Sequence, residues 1–310
     1  NKVTRLDISS SNISDLTGIK DFIALTYLDC NYNKISNINI SNSKSLTTLA
    51  LHDNKLTSLN VTQNVNLYNL MFSKNQISTI DLSQNKELHI LSCDRNLLST
   101  LNIAANTKIE SLWCGENNLT TLDVSNQPNL LQLNCIYTTI STLDVSSNPK
   151  LEMLYCNNAK LTTIDLTQNP RLKSLNLSRN ELTTLDISKN PLLELVFIEF
   201  NPLTSLNLQN GNNQNFILPS SSGTGKNSAT LDVCSFLNNK KLSCIQVDNV
   251  AFSNANWAKI KDATATYSAT CSLGIEDSVF DKVVMYPNPT KGEVNINNIA
   301  LEKATVYNSL

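Results

Sequence analysis

The chain has 310 residues, a formal net charge of −2 and an isoelectric point near 5.8, so its overall charge offers nothing to a nucleic acid. Hydrophobic residues make up 41%, enough for a sizeable core, while charged residues stand at 16%, below the roughly 25% of an average soluble domain. Small polar residues fill the gap, asparagine above all with 46 copies. The longest apolar stretch, Leu192–Phe200, contains Glu194 and Glu199, so no membrane-spanning helix is expected. No basic-then-apolar signal segment follows Asn1; if the protein is exported, that segment has been removed.

In chain order, the first unit runs over residues 1–24. Val3-Thr-Arg-Leu6-Asp-Ile8 predicts a strand, and Leu16-Thr-Gly18-Ile19-Lys-Asp-Phe22 a helical turn near Gly18 to Phe22. From residue 25 to 211 a period of 21 residues holds without insertion for nine turns. Leu46-Thr-Thr-Leu49-Ala-Leu51-His-Asp-Asn54 aligns with Leu88-His-Ile-Leu91-Ser-Cys93-Asp-Arg-Asn96 and with Leu172-Lys-Ser-Leu175-Asn-Leu177-Ser-Arg-Asn180. The second half of each turn reads like Leu119-Thr-Thr-Leu122-Asp-Val124. Leu-x-Leu alternation is the period of a short strand. Two short strands per turn predict a flattened coil of parallel strands about 4.8 Å apart, with little helix and about 40 Å of length.

These lines resemble leucine-rich repeats, in the short variety where both halves of the turn carry Leu-x-x-Leu-x-Leu. The opening unit resembles the repeats of internalin-like proteins. The resemblance implies a leucine-rich repeat solenoid, mostly parallel β, whose ends must be covered because each unit buries its apolar face only against neighbours.

Cys30, Cys93, Cys114, Cys135 and Cys156 share one repeat position with Leu51, Phe72, Leu177 and Ile198, which predicts inward-pointing free thiols. Zinc lacks histidine partners and close Cys-x-x-Cys spacing here, and a disulfide between adjacent turns is within Cα reach but strained in direction. Outside the ladder lie Cys234, Cys244 and Cys271, and Cys244 with Cys271 is the expected disulfide of an oxidising compartment.

Two asparagine columns mark the turns: Asn33, Asn54, Asn75, Asn96, Asn117, Asn180 and Asn201, then Asn64, Asn85, Asn106, Asn148, Asn169 and Asn190. Inward asparagine can satisfy backbone groups that a tight turn leaves unpaired. Thr138 and Ala159 break the first column, so those two turns should be looser. Asp123, Asp144, Asp165 and Asp186 form an outward column beside a column of threonines. Backbone N–H groups and neighbouring serines can compensate these stacked carboxylates, and calcium is the alternative that oxygen ligands would suit.

The outward positions of the first half-turn vary. The outward position between the two core residues holds Asp29, Ala50, Met71, Ser92, Trp113, Asn134, Tyr155, Asn176 and Phe197. Trp113, Tyr155, Phe197, Met153 and Ile136 are predicted to form one exposed apolar patch, with Tyr137, Arg95, Glu116 and Arg179 at its margin. An apolar strip with a polar rim suggests a recognition surface for a protein or a glycan.

From Asn210 the register dissolves into a polar loop, where Gly223-Thr-Gly-Lys226 lacks the spacing and context of a phosphate-binding loop. Leu242-Ser-Cys-Ile245-Gln-Val247 restores one strand, and Asn254–Ile260 predicts a short helix or turn whose Trp257 covers the end of the coil. Residues 212–274 are thus expected to cap the solenoid. Residues 275–310 predict strand, proline turn and further strand, the N-terminal part of an Ig-like β-sandwich. Tyr286-Pro287-Asn288-Pro289-Thr-Lys-Gly292 closely resembles the opening of the C-terminal sorting domain of type IX secretion cargo in Bacteroidota. That resemblance implies export through the periplasm to the outer cell surface or beyond. Its partners would be the type IX translocon and outer-membrane shuttle or attachment proteins. Asp277-Ser278-Val279 resembles the short O-glycosylation signal of that phylum, with Ser278 as acceptor.

An enzyme is disfavoured, since His52 and His89 are the only histidines and neither a nucleophile motif nor a metal-ligand cluster appears. The expected function is a secreted or surface-attached binding module with no cofactor. The alternative is a passive or calcium-stabilised stalk.

Overall fold

The computed structural model describes residues 2–218 and 233–271, together with the backbone of 285–286 and 295–296. It divides into two units, Asn1–Ala269 and Thr270–Leu310.

In the first unit each turn places one three-residue strand on a common sheet: Arg5–Asp7 (β1), Tyr27–Asp29 (β2), Thr48–Ala50 (β3), Asn69–Met71 (β4), Ile90–Ser92 (β5), Ser111–Trp113 (β6), Gln132–Asn134 (β7), Met153–Tyr155 (β8), Ser174–Asn176 (β9) and, past Thr184–Asp186 (β10), Leu195–Phe197 (β11). The ten strands are parallel and follow chain order. Their register is the sequence period, Leu49 on Leu70 and Leu70 on Leu91. The middle residue of each strand points inward, and from Leu28 to Val196 it is fully buried. The residues on either side of it point outward, which makes this sheet the place where the turns differ. The opening unit adds a short 3-10 turn at Ile19–Asp21.

The second half of the turn departs from expectation. A strand forms there only from β10 onward, in a four-stranded parallel sheet that continues through Ser205–Asn207 (β12), Cys244–Gln246 (β13) and Thr266–Ser268 (β14). In earlier turns Leu59, Leu101, Leu122 and Leu143 still face the core, but the backbone is spread. Thr162 N stands 3.4 Å from Ser141 O, whereas Thr204 N reaches Thr183 O at 2.8 Å. In–out alternation specifies which way a side chain points; ladder bonds need closer spacing as well.

The register also does not dissolve after Asn210. Ile217 N donates to Glu194 O at 2.9 Å, as its predecessors do one turn back, and the chain returns to the same strand at Cys234, whose N–H donates to Ile217 O at 2.7 Å. Ser235 then pairs with Phe197, and Lys261 with Phe236. Cys234 and Phe236 fill the two inward positions, and Asn239 resumes the first asparagine column by accepting Asn201 N at 3.0 Å. One insertion has interrupted the period, and its Gly223–Lys226 portion lies outside the described residues. A helix at Val250–Asn256 (α1), N-capped by Asn249 Oδ1 accepting Phe252 N, leads to Trp257, which is fully buried. Its ring stacks on Phe216 at 5.5 Å and meets Phe236, Phe252 and Tyr267 edge-on.

From Asn33 to Asn239 each turn leaves the main sheet through a tight corner, held by asparagine in every turn except those of Thr138 and Ala159. Asn96 Nδ2 donates to Phe72 O and Cys93 O, both at 3.0 Å, and to Asp94 O at 3.2 Å, while Oδ1 accepts Ile77 N at 3.0 Å. The second column uses only the donor end: Asn106 Nδ2 donates to Leu82 O at 3.0 Å and Asn85 O at 2.8 Å. Both columns tie each turn to the one before it.

In the second unit Met285–Tyr286 (β15) pairs antiparallel with Asn295–Ile296 (β16). Pro287, Asn288, Pro289, Gly292 and Ser278 lie outside the described residues. Among the described residues no helix is long and apolar enough to cross a membrane.

Candidate functional site

The main sheet presents its varied columns outward. Trp113 is 36% exposed, and its indole N–H donates to Ser111 Oγ at 2.9 Å. Tyr155 and Met153 are half-buried, with the Tyr155 hydroxyl 2.8 Å from Ser174 Oγ. Ile136 lies against Gly115, where a Cβ would meet Ile136 O at 2.8 Å and its Cγ1 at 2.9 Å; only glycine admits this packing. Trp113 and Tyr155 stand two strands apart with Asn134 between them, a separation of about 9.6 Å. Asn134 and Asn176 point outward yet are 7% and 1% exposed. Their Oδ1 atoms accept Ile136 N and Ser178 N.

Phe197 does not belong to the exposed patch. It is 3% exposed, because the chain returning from the insertion pairs alongside it at Ser235. The strip therefore loses Phe197 and keeps Trp113, Ile136, Met153 and Tyr155, with Tyr137 at its margin.

The tight corner forces the residue before each first-column position into the left-handed region. Tyr32, Asp53, Lys74, Arg95, Glu116, Tyr137, Asn158, Arg179, Phe200 and Asn238 all have φ between 50° and 63°. None of the ten is glycine, and only Asp53, Asn158 and Asn238 are types that tolerate this conformation well. For an ordinary L residue it costs roughly 1–2 kcal/mol. The column forms one edge of the varied face, and several members pair across adjacent turns. Arg95 Nε meets Glu116 Oε1 at 2.8 Å and Lys74 Nζ meets Asp53 Oδ2 at 2.6 Å, while the Arg179 guanidinium lies 4.1 Å above the Phe200 ring. The Tyr137 side chain is 56% exposed. Sequence reasoning found Arg95, Glu116, Tyr137 and Arg179 as a margin and missed Tyr32, Lys74 and Phe200, although their place before each corner asparagine is readable from the period. It also missed Tyr68 stacked on His89 at 4.1 Å and Tyr32 edge-on to His52 at 5.1 Å.

The expectation of five free ladder thiols is corrected. Cys30, Cys93 and Cys114 are free and buried, and burial pushes the Cys30 and Cys114 thiols up to about 12. Cys135 and Cys156 form a disulfide with Cα atoms 4.9 Å apart. The register stacks both on the same inward position in adjacent turns, within the span a disulfide accepts, and their directions do not prevent the bond. Cys244 lies on β13.

The aspartate column is occupied by local bonds. Asp123, Asp144, Asp165 and Asp186 accept the N–H of Ser125, Ser146, Thr167 and Ser188 at 2.7–2.9 Å. For Asp123 and Asp144 the serine hydroxyl and then its amide hold the carboxyl below its ordinary pKa; at Asp165 the amide leads. At Asp186 burial raises the pKa most, but the bonds from Ser188 and Asn207 and the charge of Lys189 together bring it below its ordinary value. Asn60 and Asn102 make the same bond in other turns, so the position needs an acceptor and not a charge. Among the described residues no group of three or more His, Cys, Asp or Glu could hold a metal ion. The Ser73, Ser92 and Asp94 side chains share hydrogen bonds of 2.6–3.1 Å.

A coil of parallel three-residue strands with leucine inside and asparagine at its corners is a leucine-rich repeat solenoid. Solved structures bear this out. The chain is similar to the functional domain of InlJ from Listeria monocytogenes, which includes a cysteine ladder, at 30% identity and a TM-score of 0.67, covering 85% of this chain and 62% of that one. A leucine-rich repeat protein of Leptospira interrogans shares the fold at 21% identity and a TM-score of 0.61, covering 83% and 63%. So does the ectodomain of the Arabidopsis thaliana membrane receptor kinase GASSHO1/SCHENGEN3, solved with CASPARIAN STRIP INTEGRITY FACTOR 2, at 16% identity and a TM-score of 0.57, covering 79% and 32%. The chain spans about three-fifths of the length of the two bacterial structures. No protein-family model and no curated protein matches it.

Proposed function

We propose that the chain is a recognition module acting outside the cell, binding a protein or a glycan through the varied strand face and catalysing nothing. The observation that carries this reading is the exposure of Trp113 and Tyr137 on a face whose columns change from turn to turn while the inward columns hardly change. Aromatic side chains bring large contact area at low entropic cost. The type IX reading rests on the run from Tyr286 to Gly292 and would make the translocon and outer-membrane attachment proteins partners of the C-terminal segment. Cys244–Cys271 remains a proposed pair, which a non-reducing peptide map would detect.

The test is binding of the full chain to a glycan array and to a panel of purified extracellular proteins, beside a Trp113→Ala, Tyr155→Ala variant. A ligand whose affinity drops at least tenfold in a variant of unchanged melting temperature supports the module. Equal binding by both proteins, or none by either, overturns it in favour of a passive stalk.

A further inference from the structure

The ladder holds two adjacent cysteine pairs that differ both in oxidation state and in the corner between them. At Asn54, Asn75, Asn96, Asn117 and Asn180 the side-chain Nδ2 joins the carbonyl three residues before it to the carbonyl 24 residues before it, one turn back. Asn117 joins Cys114 O to Cys93 O, both at 3.0 Å, and Asn180 joins Leu177 O to Cys156 O, both at 2.9 Å. Cys93 and Cys114, the adjacent pair that Asn117 joins, are both free thiols, while Cys30 faces Leu51 in the next turn and has no ladder cysteine beside it.

The column fails at two successive corners, Thr138 and Ala159. Thr138 Oγ1 bonds only within its own turn, to Cys135 O at 2.9 Å. The Ala159 side chain has no polar atom. An asparagine at 159 would, by the same offsets, join the carbonyls of Cys156 and Cys135. These are the two residues that the disulfide joins covalently.

We propose that the Cys135–Cys156 disulfide replaces the asparagine staple missing at Ala159, making the two turns that carry Tyr137, Met153 and Tyr155 the redox-dependent section of the solenoid. Two thiols each lose a proton and together lose two electrons to a dithiol–disulfide exchange partner, whose own disulfide becomes two thiols. Both sulfur-bearing residues are buried, at 0% and 1% exposure, so the bond forms while these turns are still open. Once they close, reductants are excluded. The neighbouring Cys114 thiol is held protonated by burial and does not attack the bond, since exchange needs a thiolate. The redox state set during folding is therefore kept. This inference does not depend on what the varied face binds.

Hydrogen exchange followed by mass spectrometry tests it, using the oxidised chain, a Cys135→Ala, Cys156→Ala variant, and the same variant carrying Ala159→Asn. Amides in residues 134–160 should exchange at least tenfold faster without the disulfide, while those in residues 46–75 keep their rates. Ala159→Asn should return the fast section to within about threefold of the oxidised chain, if one bond set of ordinary strength is restored. Unchanged exchange in the cysteine-free variant, an equal increase along the whole solenoid, or no rescue by Ala159→Asn would each overturn the proposal. Should the cysteine-free variant fail to fold, Ala159→Asn alone decides: unfolding in reductant should lower its midpoint less than that of the parent chain, and an equal drop refutes the exchange of roles.

Discussion

Asn96→Ala removes a corner of the solenoid, and its cost can be worked from the bonds it deletes. Asn96 shares its two Nδ2 hydrogens among three carbonyls and accepts one bond through Oδ1, all between buried or half-buried groups. At about 0.5–1.5 kcal/mol net per bond, with the buried Ile77 N–H left without an acceptor, the loss is about 3–5 kcal/mol. Asn106→Ala in the second column deletes two bonds and should cost about half as much. Urea unfolding followed by circular dichroism measures both, and the midpoints compare the variants even where a repeat array departs from two-state behaviour. The reasoning fails if Asn96→Ala costs no more than Asn106→Ala, or if both stay under about 1 kcal/mol, because the columns would then be filling space and not joining turns.

Trp113→Ala should cost less than about 2 kcal/mol by the same assay, since the ring is partly exposed, and a larger loss would place it in the core. Tyr137→Asn should raise stability by about 1 kcal/mol by relieving a left-handed non-glycine residue while weakening ligand binding; a fall in stability would show that the ring holds the fold. The aspartate column stabilises above the ordinary carboxylate pKa of about 3.9 and loses that contribution as pH falls through the depressed folded values. Melting temperature should therefore drop on acidification below about pH 4, and Asp123→Asn should soften the drop without changing the value at pH 7. Because serine and threonine already occupy these carboxylates, melting temperature should not change with a calcium chelator, and a large decrease would reinstate a bound ion.

How far the fold could be read from sequence differs by feature, for physical reasons. The inward columns and the parallel register were legible because burial demands the same residue class at every turn. The second strand was not, because alternation reports the direction of a side chain and says nothing of the spacing between Thr162 and Ser141. Phe197 looked exposed because its column points outward, yet its burial depends on a chain that returns only after the insertion. The disulfide was hidden for a subtler reason: a thiol, a half-cystine and a leucine fit the same inward site. The informative signal lay three residues on, at Thr138 and Ala159, where the polar staple is missing.

The left-handed column shows how a repeat fold can carry a specific surface without altering its scaffold. The corner geometry recurs in every turn, at Thr138 and Ala159 as well as at the asparagines, so it comes from the way the chain leaves the sheet, and the residue one position earlier is held at positive φ whatever its side chain. Glycine or asparagine in all ten turns would make the fold more stable, at roughly 1–2 kcal/mol for each ordinary residue replaced. Seven turns instead carry Tyr32, Lys74, Arg95, Glu116, Tyr137, Arg179 and Phe200. Some of that cost returns through the Arg95–Glu116 pair and the Arg179–Phe200 contact, but exposed pairs of this kind are worth at most about 1 kcal/mol. Tyr137 has no such pair among the described contacts, and more than half of its side chain is open to solvent. A backbone cost borne along one edge of the face, beside Trp113 and Tyr155, is what a surface selected for contact with another molecule would show, since strain of this kind gathers where a ligand is held.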